Sequence, residues 1–275
     1  MRRVTVAVDF STVALGCLAL LLAMPLMATS PGVILPAESL AYRRTQLAAP
    51  ELLPQEKLAQ YARYDFGPLW TESNKNGGPY GFIGPKYQRL RVRILSVQRD
   101  VANPARYRVT GKTQVFGYVS AFAGTLELQH VREVREPALG LDETVSPASQ
   151  EGMALAAYEF RENPAQPKNG IFRGIMQTKW YLNTRGRLCY DSIRNYSDGY
   201  CNNQFVGTWT GYKAKQALRC NWGDGRIPNS GSLDVGAGEF IPDPKYHAAG
   251  WQAYAEPLSP AAKAAQPPKN SAWWQ

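Results

Sequence analysis

A chain of 275 residues with 24 glycines, 20 prolines and 15 tyrosines has the punctuation of a strand-and-turn protein, because tyrosine suits a pleated surface while glycine and proline interrupt long helices. The formal charge of +9, from 31 basic against 22 acidic residues, favours acidic partners such as anionic headgroups or acidic glycans. The basic residues are spread out instead of clustered, which argues against nucleic acid as a partner.

The first 28 residues have the order of an export signal. Arg2 and Arg3 precede the uncharged, mostly apolar run Val13 to Ala28, and Ala28 supplies a small residue for cleavage. Cleavage there predicts a periplasmic or secreted chain. The alternative is an uncleaved inner-membrane anchor facing the periplasm, since Phe10 to Ala28 approaches the ~20 residues that cross a bilayer. Cys17 lies within the apolar run and not at its end, which argues against lipidation.

Residues 29–60 contain Pro31, Pro36, Pro50 and Pro54 among alanines and are expected to form a semi-extended linker. Near its end, Leu52, Leu53, Leu58 and Tyr61 fall near helical spacing, which predicts a short flanking helix after Pro54.

From 61 to 256 the dominant period is two. Arg89, Arg91 and Arg93 alternate with Leu90, Val92 and Ile94, placing guanidinium groups on one face of a strand and aliphatic groups on the other. Tyr107, Val109 and Val115 continue the pattern, as do Phe172, Met176, Trp180 and Leu182. Further strands are expected at Leu188 to Arg194 and Asn203 to Tyr212. Asn183-Thr184-Arg185-Gly186 and Ser197-Asp198-Gly199 have turn chemistry. No segment shows the 10 to 15 residue helical pattern a parallel crossover needs, so the sheet is expected to be antiparallel.

Phe122-Ala-Gly124-Thr-Leu126, Phe172-Arg-Gly174-Ile-Met176 and Phe205-Val-Gly207-Thr-Trp209 share the form Phe-x-Gly-x-large apolar. In a small closed barrel all three marked positions face inward, the glycine making room where the interior narrows. Gly207-Thr208-Trp209 resembles the Gly-x-Trp signature of lipocalins, which implies an antiparallel barrel around an apolar ligand, although in that family the signature lies on the first strand. Tyr200 to Gly250 resembles secreted bacterial proteins of unassigned function.

The two histidines, His130 and His247, have no ligand partner at metal spacing, and no cofactor is expected. Export favours a disulfide; Cys201 with Cys220 is the preferred pairing, because they flank one strand and its return, and Cys189 with Cys201 is the alternative. Asp224, Arg226, Asp234 and Glu239 lie among glycines. Asp224, Asp234 and Glu239 offer carboxylates for a polysaccharide hydrolase, or else they are turn residues with Arg226 as an ion-pair partner. Asn202, Asn203, Trp209, Trp222 and Arg226 are the candidate ligand-binding set at a barrel mouth.

Residues 257–275 are low-complexity and expected to be disordered, ending in Trp273 and Trp274. Indole pairs of this kind suit a membrane interface or a partner surface. The sequence therefore predicts an exported, mainly β chain, a single antiparallel barrel that is lipocalin-like or related, binding a small apolar or glycan ligand without catalysis. Hydrolysis of envelope polysaccharide and a structural or protein-interaction role are the alternatives.

Overall fold

The computed structural model describes residues 33–74, 78–136, 148–214, 216–254 and 272–275. The expected leader at residues 1–28 with Cys17, and residues 257–271 of the tail expected at 257–275, lie outside these residues.

Nine strands form one antiparallel sheet among the described residues: β1 (Tyr80–Ile83), β2 (Gln88–Arg99), β3 (Arg106–Val115), β4 (Tyr118–Glu133), β5 (Ala148–Glu162), β6 (Gly170–Asn183), β7 (Leu188–Tyr190), β8 (Asn202–Gly211) and β9 (Leu218–Asp224). Neighbours follow the order β1-β2-β3-β4-β5-β6-β8-β9, and β9 pairs back onto β1 with Gly81 opposite Trp222 and Ile83 opposite Cys220, so the sheet closes in a ring. β7 continues beyond β8 along the same edge of β6. Closure leaves the eight ring strands without open edges.

The alternation expected for β2 is present: Leu90, Val92 and Ile94 are buried inside, and Arg89, Arg91 and Arg93 stay half-buried outside. β3 and β4 are joined by Phe116-Gly117, both at positive φ (46° and 79°), as the twist of a two-residue hairpin requires. β5 shows no alternation because both its faces are covered. Ala154, Ala156, Tyr158 and Phe160 face the interior, while Met153 and Leu155 join an outer cluster. The strand expected at Leu188 to Arg194 is shorter, ending at Tyr190.

The interior is filled with rings. Phe205 stacks on Trp222 with centroids 4.5 Å apart, and Tyr158 meets both edge-on at 5.3 and 5.4 Å. The three Phe-x-Gly motifs act as expected. Phe122 and Leu126, Phe172 and Met176, and Phe205 and Trp209 line the interior. Gly174 and Gly207 lie opposite each other on β6 and β8, and a Cβ at either would strike the Tyr158 hydroxyl and a neighbouring carbonyl.

The segment expected as a semi-extended linker instead contains a helix, α1 (Ala37–Leu47). It covers the outer faces of β6 and β8, where Leu35, Tyr42 and Leu47 pack on Leu155, Ile175 and Val206. Glu38 fastens it, accepting bonds from Arg219, Asn221 and Asn229, and Ser39 Oγ donates to the Val206 carbonyl at 2.7 Å. The short helix after Pro54 is one turn, α2 (Leu58–Tyr61). A third helix, α3 (Gly67–Thr71), inserts Leu69 and Trp70 into one end of the ring, joined there by Phe66 just before it. On the outer side of β1, Phe82, Ile227, Leu233, Phe240 and Trp251 form a separate cluster.

Candidate functional site

The sequence candidates divide between four places. Asn202, Asn203 and Asp224 meet at the end of the ring that α3 enters. β8 begins there with a bulge that breaks register between Asn202 and Phe205, and Asn203 takes a positive φ of 43°. Asn202 is fully buried; its amide accepts from the Lys179 N–H at 2.7 Å and donates to the carbonyls of Lys179 and Asp191.

A directed chain of hydrogen bonds runs to Asp224. Trp70 Nε1 donates to Thr178 Oγ1 at 2.9 Å, Thr178 Oγ1 to Asn203 Oδ1 at 2.9 Å, Asn203 Nδ2 to Ser73 Oγ at 3.0 Å, and Ser73 Oγ to Asp224 Oδ2 at 2.7 Å. Every donor points the same way, so each bond polarises the next and the carboxylate receives the sum. Tyr190 adds a second 2.7 Å bond to Asp224 Oδ2. Burial of this carboxylate pushes its pKa up to about 6, more than these bonds lower it, with the Glu72 charge adding to the rise. Burial and the Asp224 charge also raise Tyr190. This chain fastens α3 across the end of the ring.

Arg226, Asp234 and Glu239 lie apart, in the loop after β9. Arg226 meets Asp234 Oδ2 through Nη2 at 2.7 Å and through Nε at 2.8 Å, and its remaining N–H groups donate to the carbonyls of Gly236, Ala237 and Gly238. The other oxygen of Asp234 accepts from the N–H groups of Gly236 and Ile241. This carboxylate is fully engaged in holding its loop, and Glu239 is exposed.

Trp222 is stacked inside the ring, and Trp209 sits at the opposite end of β8, donating from Nε1 to Glu162 Oε2 at 2.9 Å. The five candidate binding residues therefore do not line one mouth. The expected disulfide is absent: Cys189, Cys201 and Cys220 are free thiols. Cys220 faces the ring interior, whereas Cys201 lies outside with Lys179 Nζ 3.8 Å from its sulfur, so the sheet separates them. Among the described residues, no group of three or more His, Cys, Asp or Glu is placed to hold a metal ion, and no helix is long and apolar enough to cross a membrane.

The tryptophan pair is docked on the chain itself. Arg91 lies over the Trp273 ring at 5.0 Å and Arg93 over the Trp274 ring at 3.8 Å. Arg89 lies over Trp251 and Tyr254 at 5.6 and 5.1 Å. All three outward arginines of β2 thus stack on aromatic rings, at contact distances for cation–π attraction. Among the described residues no carboxylate pairs with any of them.

Sequence reasoning missed Ser73 and Tyr190 as partners of Asp224, Thr178 as an earlier link in the chain that reaches it, and α3 with them. Two signals were available: Pro68 in the first turn of a short helix, and Thr178 as a polar residue on the inward parity of Met176 and Trp180, where it must find a partner. No family model, curated protein or solved structure was found to match the chain.

Proposed function

We propose that this chain is an exported, non-catalytic binding protein built on a closed antiparallel barrel, periplasmic or secreted, which meets a glycan ligand on its outer surface. The observation that carries this is the filled interior. Tyr158, Phe160, Phe205 and Trp222 pack against one another and α3 enters one end with Trp70, so an apolar ligand of the lipocalin kind has no support there. Arg89, Arg91 and Arg93 of β2, by contrast, stand outside with no counter-ion among the described residues. Export is inferred from Arg2, Arg3 and the apolar run that follows; an uncleaved anchor would leave the same domain facing the periplasm.

Thermal unfolding of the purified chain against neutral oligosaccharides, acidic oligosaccharides and short-chain phospholipids tests this, since a ligand that prefers the folded state raises its melting temperature. A concentration-dependent rise with a saccharide class supports it. The absence of a rise with every saccharide overturns it.

Hydrolysis of polysaccharide is a second reading, favoured by the raised pKa of Asp224, to which the Glu72 charge contributes, because a carboxyl still partly protonated near pH 6 suits a general acid. Asp234 and Glu239 do not join Asp224. Release of reducing sugar from bacterial envelope polysaccharide at pH 5 to 6, abolished in Asp224→Asn, would establish it; equal release by both proteins would reject it.

A further inference from the structure

We infer that the outer groove between β2, the β3–β4 turn and the segment at Gly250 binds an acidic saccharide, with Arg89 and Arg91 taking its oxyanion and Phe116 meeting its ring. This rests on the reading of the chain as a surface binding protein, and it names the site and ligand class.

The groove has a volume of about 260 Å³ and is lined by Arg89, Arg91, Gln114, Phe116 and Gln252, with Gly117 and Gly250 completing its walls. Aromatic rings hold both guanidinium groups at cation–π distance: Arg89 by Trp251 and Tyr254, Arg91 by Trp273. Arg89 spends one N–H on the Tyr254 hydroxyl and Arg91 one on Gln114 Oε1. Each keeps further donors, and a preset fork of this kind matches a carboxylate, sulfate or phosphate. Burial, and then the neighbouring Arg89 charge, bring the Arg91 guanidinium down to about 10, as expected of cations crowded without a counter-ion.

Phe116 turns an anion site into a saccharide site. It is 62% exposed and sits at φ 46°, where asparagine or glycine would be easier and a bulky side chain is strained. The fold gains little from a phenylalanine there. The strain is instead spent on presenting a ring face beside two arginines, where the apolar face of a sugar can lie. Gln114 and Gln252 supply amides for hydroxyl groups, the small set of orienting polar groups that ligand sites use. A lipid headgroup would use the arginines alone.

The test titrates the full chain with heparin oligosaccharide, oligogalacturonate, neutral dextran and phosphatidylglycerol vesicles at about 50 and about 300 mM salt. Either acidic saccharide, sulfated or carboxylated, is expected to bind, more weakly at high salt, while dextran does not. Arg91→Ala should weaken binding about tenfold or more and Arg91→Lys should restore only part of it. Phe116→Ala, at an exposed position and so with the melting temperature unchanged, should weaken it about threefold to tenfold. Arg108 provides the control: it is on the same outer face, exposed, and paired with Asp100, and Arg108→Ala should leave affinity unchanged. Equal losses from Arg108→Ala and Arg91→Ala would reduce the effect to net charge and overturn the proposal, as would binding to vesicles but not to saccharides. Saccharide binding that survives all the groove variants would remove this site and leave surface binding standing. No binding to any saccharide would remove both.

Discussion

The Tyr190 hydroxyl donates to Asp224 Oδ2 at 2.7 Å, and the same oxygen takes a second bond of equal length from Ser73. Both donors are neutral, so the buried carboxylate is hydrogen-bonded but not charge-compensated. Its folded value of about 6 lies above its ordinary 3.8. Between those values the folded chain holds more protons than the unfolded one, so the stability linked to Asp224 falls as pH rises through that window and is level above it. Asp224→Asn keeps an oxygen for both donors and removes the charge. Denaturant unfolding should show this variant about 1 to 3 kcal/mol more stable than the parent at pH 7.5, the gap closing near pH 4. A gap that does not change with pH would show that the carboxylate is not desolvated.

Gly174 and Gly207 face each other where Tyr158 crosses the interior. Gly207→Ala would place a methyl group against the Arg173 carbonyl and the Tyr158 hydroxyl, with backbone on one side and a packed ring on the other. The expected cost is about 2 to 4 kcal/mol, at the upper range of overpacked cores. The Tyr158 hydroxyl itself is buried without a hydrogen-bond partner among the described residues. Tyr158→Phe should therefore be neutral or stabilise by up to about 1 kcal/mol, read as a midpoint shift in urea. Marked destabilisation would mean that the hydroxyl has a partner.

Glu38 ties α1 to β9 through Arg219 and Asn221 and to the following loop through Asn229. Burial alone would raise this carboxyl, but these bonds hold it below its ordinary range. Its contribution is present at neutral pH and is lost as pH falls below about 4.5, because the folded chain then takes up its proton less readily than the unfolded one. Glu38→Ala should cost about 1 to 3 kcal/mol at pH 7, with faster amide exchange over Ala37–Leu47. Unchanged exchange there would mean that apolar packing on Ile175 and Val206 holds the helix without Glu38.

Cys220 has no exposed surface, whereas Cys189 and Cys201 are partly exposed. Alkylation of the native chain should label Cys189 and Cys201 and spare Cys220 until denaturant is added. The intact mass should not depend on prior reduction. A reduction-dependent gain of two labels would reveal a disulfide and displace the arrangement described.

The β character and most strand positions were readable from sequence, because the face a side chain takes in a strand is set by residues two away. Leu90, Val92 and Ile94, the inward run from Phe172 to Trp180, and the glycines of the Phe-x-Gly motifs all obey that local rule. It fails where a strand is covered on both sides. Met153 to Phe160 shows no alternation, since α1 buries the outer face, and α1 itself is held by Glu38 and Ser39 against strands far along the chain.

The candidate sites were less readable for the same physical reason. Trp70 and Thr178 are 108 positions apart and Ser73 and Asp224 are 151 apart, so no spacing in the chain connects them. The sequence by itself determined alternation, turns and the basic outer row on β2. Only the tertiary structure decided that Cys201 and Cys220 lie on opposite sides of a sheet, that Asp224 is met by Ser73 and Tyr190, and that Trp273 and Trp274 rest on Arg91 and Arg93. Those outcomes depend on which strands become neighbours, and that is settled by burying the interior rings together, a property of the whole chain that no local window contains.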